Sequence, residues 1–226
     1  MKAISAELLG RAAVLGCVLA GWSGGWVAAG QSACADLGGT VDQNQICRGH
    51  IVTANYVLDL SFPVGYPDQQ PLTDYLTRTR DTWAADAQAH PPRDRPPYWL
   101  TITGTAYRSV TLSSRTQTVV LDMNQDLGAH PVGSFKAFNY DVGKGAPITF
   151  DTLFKPGSKP LDVLNPIVQR ELGPFPFGDP GRDAYQNFAI TDDAVIFFFG
   201  QGQVLPEVDG PQQVSVPRAQ LAALLA

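Results

Sequence analysis

Hydrophobic positions change their spacing several times along this chain, and each change predicts an element. Between Asn187 and Pro217, Phe188 and Ile190 lead through the turn Thr191-Asp192-Asp193-Ala194 into the unbroken run Val195 to Phe199. A Gly-rich loop and a second run, Gln213 to Val216, follow, so the stretch reads as a hairpin feeding a central strand. Val195-Ile196-Phe197-Phe198-Phe199 is apolar on both faces, so this strand is expected to be covered on both sides.

Upstream, His50 to Pro63 places Tyr56, Leu58, Leu60 and Phe62 at period two, the pattern of one strand with one buried face. Asp68 is the expected N-cap of a helix running to about Ala89, with Pro71 in its first turn, where a missing N–H costs nothing. Leu72, Tyr75, Leu76 and Trp83 form its apolar stripe, as in a helix lying on a sheet. The Pro-rich stretch His90 to Pro97 predicts a surface loop. Tyr98 to Tyr107 alternates and is expected to pair antiparallel with Thr116 to Met123 across the loop Leu112 to Arg115. Ser134 to Tyr140 is the next strand, and Ile148 to Phe154 reads as a short strand or turn. Leu161, Leu164, Ile167, Val168 and Leu172 mark a helix, in which Pro166 predicts a late start or a kink. A further Pro/Gly loop spans Gly173 to Arg182, and a terminal helix is expected from Pro217. Runs of strands with helices inserted between them predict an α+β fold: a mainly antiparallel sheet with two or three packed helices. If there are two subdomains, their boundary lies near Leu127, giving parts 30–127 and 128–226.

The first 29 residues change the picture, because they read as an export signal. Lys2 and Arg11 precede an apolar run, Ala12 to Ala20, and Val27-Ala28-Ala29 forms an A-x-A-like cleavage site before Gly30. A retained anchor over Ala12 to Ala29 and lipid attachment at Cys17 are the alternatives. The Gly content and small-residue end favour the signal over the anchor, and Leu15 fits a lipobox poorly. Removal of this segment leaves Cys34 and Cys47, an even pair expected to form a disulfide in an oxidising compartment. A metal site using both cysteines and His50 lacks a fourth ligand. The net charge of -5 gives no broad attraction for phosphate backbones or anionic lipid heads, so nucleic acid is not an expected partner. No stable membrane anchor is expected after cleavage.

Several separated blocks carry a resemblance. Tyr66-Pro67-Asp68-Gln69, Asp126 to Pro131, Lys136 to Tyr140, Ile148 to Phe154, Tyr185 to Thr191 and Leu205-Pro206-Glu207 resemble the small secreted immunogenic antigens of mycobacteria. These carry a carboxy-terminal RsiV-like domain, similar to the extracellular part of a lysozyme-sensing anti-sigma factor. The resemblance covers Cys34 to Ala226 and implies an exported α+β protein. It implies either an immunogenic or host-interacting binding protein with no settled reaction, or a serine-type hydrolase of short-chain carboxylic esters. The location implied is secreted, extracellular or cell-wall associated, and the partner is an unknown protein or a small ester. No cytoplasmic sigma-binding segment like that of the anti-sigma factor is expected.

Ester hydrolysis would need a serine activated by a base and faced by oxyanion donors. The G-x-S-x-G match, Gly21 to Gly25, lies inside the export signal, where no nucleophile elbow can form. The residues left for an esterase are Ser134, His130 and Asp141, with Gly128 and Gly133 as backbone oxyanion donors. The plainer reading makes His130-Pro131 a turn and Ser134 the opening of a strand, because a triad is recognised by geometry rather than spacing. Asp192-Asp193 reads as a hairpin turn, and Asp81 with Asp86 as a solvated helix face. With no phosphate loop, dinucleotide fingerprint or H-E-x-x-H motif, no cofactor and no metal are expected.

Overall fold

Alternation along residues 39 to 147 builds one large sheet, which the computed structural model describes together with the rest of residues 24–91, 97–110 and 115–226. Residues 1–23, the core of the expected export signal, and most of the two loops at 90–97 and 112–115 lie outside the described residues. The first described element is helix α1, Gly24–Asp36. Strands β1 (Gly39–Val41), β2 (Ile46–Val52) and β3 (Tyr56–Pro63) follow. Helix α2, Gln69–Ala89, connects to β4 (Tyr98–Val110), β5 (Arg115–Asp126), β6 (Val132–Asp141) and β7 (Ala146–Pro147). The seven strands lie in chain order, and every pairing is antiparallel except β3 with β4, which α2 joins as a crossover.

The stretch expected as one strand from His50 is a hairpin. Its alternation runs on through Thr53-Ala54-Asn55, but Thr53 Oγ1 accepts the N–H groups of Asn55 and Tyr56 and turns the chain there. The period-two residues then fall in β3, with Tyr56, Leu58, Leu60 and Phe62 buried. Asp68 precedes α2 but makes no capping bond; Gln69 Oε1 instead accepts the N–H of Tyr66 at 3.3 Å. Leu72, Leu76 and Trp83 of the expected stripe are buried, and the Trp83 ring meets Tyr56 edge-on at 5.4 Å.

Helix α3, Phe150–Leu153, occupies the place expected to be a short strand or turn. A capping box explains it: Thr149 Oγ1 accepts the N–H of Thr152, and Thr152 Oγ1 accepts the N–H of Thr149. Helix α4, Leu161–Leu172, starts at the first apolar residue of its stripe and continues through Pro166, so the late start is not observed. Strands β8 (Phe188–Ile190), β9 (Ala194–Phe199) and β10 (Gln212–Pro217) form a second sheet with β9 in the middle, and α5, Arg218–Leu221, ends the series. The fold is α+β, as its sequence pattern indicates.

Two apolar clusters and a smaller third order these elements into layers. Val119, Leu121 and Met123 of β5 pack with α1 and α2, whereas Val120 between them packs with Ala189 and Phe198 of the small sheet. The far face of the small sheet, with Val195, Phe197 and Phe199, lies against residues of α3, α4 and α5. Asn139 joins the two sheets. Its Oδ1 accepts from Thr118 Oγ1 at 2.6 Å and its Nδ2 donates to the Phe188 carbonyl at 2.8 Å, all in buried surroundings. Asn139→Ala strands both partners, so a loss of about 1–3 kcal/mol is expected in denaturant titration. An unchanged midpoint would mean that the apolar contacts alone hold the sheets together.

Candidate functional site

A cavity of about 350 Å³ opens where the end of the large sheet meets the small one. Thr116 is the second residue of β5 and Asp141 closes β6, and the two are register partners, so both side chains stand on the face turned to the small sheet. Ile190 and Val195, paired across the β8–β9 turn, supply apolar wall. The last residues of the chain close another side. Leu225 bridges to Phe154, and the N–H of Ala226 donates to the Leu153 carbonyl at 3.1 Å. Arg218 enters as β10 ends, its own N–H fixed on the Asp193 carbonyl at 2.8 Å.

Polar groups in this cavity are unevenly satisfied. The Asp141 carboxylate accepts the N–H groups of Gly143 and Lys144, each at 2.9 Å, and lies 3.7 Å from the Lys144 ammonium. Arg218 Nη1 donates to Ser109 Oγ at 3.0 Å and to the Thr191 carbonyl at 3.2 Å, which fixes the guanidinium plane. Thr116 Oγ1 is buried and has no hydrogen-bond partner. Apolar walls with a few convergent polar groups are the usual make-up of a small-molecule site.

Ser134 and Asp141 do not belong to one catalytic arrangement. They lie seven residues apart on β6, roughly 23 Å at the usual rise of about 3.3 Å per residue, and an odd separation turns them to opposite faces. His130 is exposed, with Nδ1 on the Pro131 carbonyl at 3.1 Å and Nε2 3.6 Å from Glu207 Oε2. The two glycine N–H groups offered as oxyanion donors are already used: Gly128 donates to Asp126 Oδ1 and Gly133 to Gln201 Oε1.

An acid and a base pair elsewhere, on the large-sheet face opposite α2, with a hydroxyl in the same groove. His50 and Asp59 are register partners in the β2–β3 hairpin, with His50 Nδ1 2.6 Å from Asp59 Oδ1. Ser61, two residues beyond Asp59 on the same face, lines the same shallow groove with Arg48 and Thr103. Arg48 is held by Asp42 at 3.0 Å. The Asp42 carboxyl sits below its ordinary range, chiefly because it accepts the Ile46 N–H. Asp122, next to Thr103 in register, is raised by burial, which the hydrogen bond from Asn124 partly offsets. Read as one strand, residues 50–63 keep His50 and Asp59 apart. Folding the alternation back at Thr53 would have faced them.

Residues 151–219 match the family model described as a protein of unknown function, DUF3298. The esterase Rv3036c of Mycobacterium tuberculosis is 46% identical, over 96% of this chain and 98% of its own length. Immunogenic proteins MPT64 of Mycobacterium tuberculosis and MPB64 of Mycobacterium bovis are each 41% identical, over 90% of this chain and 92% of theirs. A crystal structure of a DUF3298 family protein from Pseudomonas aeruginosa superposes with a TM-score of 0.57 at 13% identity, covering 82% of this chain and 95% of that one. One from Bacteroides fragilis gives 0.52 at 15% identity, over 84% and 95%. At such identities these two structures establish likeness of fold alone.

Proposed function

This chain belongs to the family of the mycobacterial immunogenic proteins MPT64 and MPB64 and the esterase Rv3036c, and from that premise we propose that it is an exported, immunogenic, host-interacting binding protein. The observation that carries the binding role is the cavity at the junction of the sheets, with apolar walls, a fixed guanidinium and a buried hydroxyl without a partner. Export is supported by the Lys2-to-Ala29 pattern and by the family. Amino-terminal sequencing of protein from culture medium is expected to begin at or within a few residues of Gly30. A chain beginning at Met1, or lipid on Cys17, would overturn that reading.

Binding at the cavity is tested with a neutral amphipathic probe, 1-octanol, by calorimetry. Ala146→Trp places an indole in the cavity mouth and is expected to weaken octanol binding by about tenfold or more. Equal binding by this variant would place the site elsewhere.

Ester hydrolysis is the second reading, favoured by the relative named an esterase and by the His50–Asp59 pair beside Ser61. An imidazole held at Nδ1 by a carboxylate leaves Nε2 to act as a base, which supplies two of the three groups a serine hydrolase uses. The mature protein is assayed on a chromogenic short-chain ester with and without a serine-directed inhibitor. Ser61→Ala is expected to lower kcat/KM by about 10²-fold or more, against Ser134→Ala as the comparison. Full activity in Ser61→Ala would remove the groove from the reaction.

A further inference from the structure

We propose that the cavity binds an alkyl carboxylate, its head held by Arg218 and Thr116 and its chain lying against Leu153, Ile190, Val195 and Leu225; this rests on reading the cavity as a ligand site. The head-group assignment comes from what Arg218 and Thr116 lack. Arg218 spends Nη1 on two neutral oxygens, Ser109 Oγ and the Thr191 carbonyl. Among the described residues no carboxylate stands within ion-pair distance of it, while the neighbouring acid, Asp141, is taken by Lys144 and two backbone N–H groups. A guanidinium stays charged and presents further donors in a rigid fork that matches a carboxylate. Held in place by two bonds, it loses little freedom on meeting one. Thr116 is 5% exposed and its hydroxyl makes no hydrogen bond, a costly arrangement that a ligand oxygen would relieve.

Charge balance selects a single negative charge. Two basic side chains, Arg218 and Lys144, face one acidic side chain, Asp141, in this cavity. The formal side-chain charge is therefore +1, which one carboxylate beside Arg218 balances and a phosphate dianion or a polyanion would exceed. Size selects the chain. At roughly 30 Å³ for each water-sized group, about 350 Å³ holds on the order of ten heavy atoms, the number in octanoate.

Calorimetry with sodium octanoate and with 1-octanol on the disulfide-bonded mature protein tests the proposal. Octanoate is expected to bind about tenfold or more tightly than octanol. Arg218→Gln should bring octanoate down to the octanol level without changing octanol binding, which also reports that the variant is folded. Thr116→Val, nearly the same shape without the hydroxyl, should weaken octanoate several-fold and leave octanol alone. Equal binding of both probes by the wild type overturns the head-group assignment while the cavity remains a ligand site. Binding of neither overturns the cavity reading and this inference with it. If Arg218→Gln loses octanol as well, Thr116→Val decides: unchanged octanoate affinity there overturns the proposal.

Discussion

Phe197→Ala and Phe198→Ala are each expected to lower stability by roughly 3–5 kcal/mol, a large share of the roughly 5–15 kcal/mol of an ordinary domain. The rings leave β9 on opposite sides and neither reaches water. Phe197 is fully buried against Tyr185, edge-on at 5.3 Å, and against Phe188 at 6.1 Å, in the cluster shared with α3, α4 and α5. Phe198 points to the large sheet, where Phe135 and Tyr107 lie 5.3 and 6.0 Å away. Each alanine leaves a void that the surrounding sheets and helices close only in part, so lost burial and an unfilled cavity add. Denaturant midpoints at matched m-values measure both losses. One large loss and one near-neutral result would mean that one face of β9 is wet, and would turn the buried side of this layer into an aromatic surface open to partners.

How far the fold was legible depends on how local its signal is. The both-faced run at Val195–Phe199 announced two covering layers, and both are present, with the large sheet on one side and helices on the other. The α2 stripe and the β4–β5 pair were equally plain, because their periods survive inside one short window. The hairpin at Thr53 is hidden because its turn contains no Gly or Pro to interrupt the alternation. The parallel pairing of β3 with β4 is not legible in the strands themselves, because nothing in either one specifies direction. Helix α3 hides for another reason: four residues show no period, and only the Thr149/Thr152 capping pair marks it.

The cavity lay beyond such reading. Its polar residues, Thr116, Asp141 and Arg218, come from three distant segments, and Arg218 is fixed by Ser109, 109 positions away in the chain. A sequence offers spacing, and spacing drew attention to Ser134, His130 and Asp141, which lie close together along the chain. Strand geometry then sends Ser134 and Asp141 to opposite faces and gives Asp141 a register partner, Thr116, in another strand. The exposed His50–Asp59 pair lies between these cases. Its residues are local, and one correctly placed turn is enough to join them.

Removing the disulfide is expected to cost about 3 kcal/mol, the chain-entropy value for a loop of this length. Cys34 and Cys47 are bonded across 13 positions, with Cα atoms 5.6 Å apart, and both are fully buried in the cluster under α2. The bond ties the end of α1 to the second strand of the large sheet, near the edge strand β1. Packing around it is tight on one side. A Cβ on Gly39 would stand 2.7 Å from Cys47 Sγ and 2.9 Å from the Arg48 carbonyl, so a side chain there displaces the sulfurs or the backbone. The double variant Cys34→Ala with Cys47→Ala, compared with wild type in denaturant, measures the loss, and Gly39→Ala should destabilise in the same direction with the disulfide intact. Thiol titration of the denatured, unreduced mature protein should find no free thiol, whereas the uncut chain should show one, Cys17. Two further thiols in either form, or a double variant as stable as wild type, would show that α1 is held to the sheet by its apolar contacts without the covalent link.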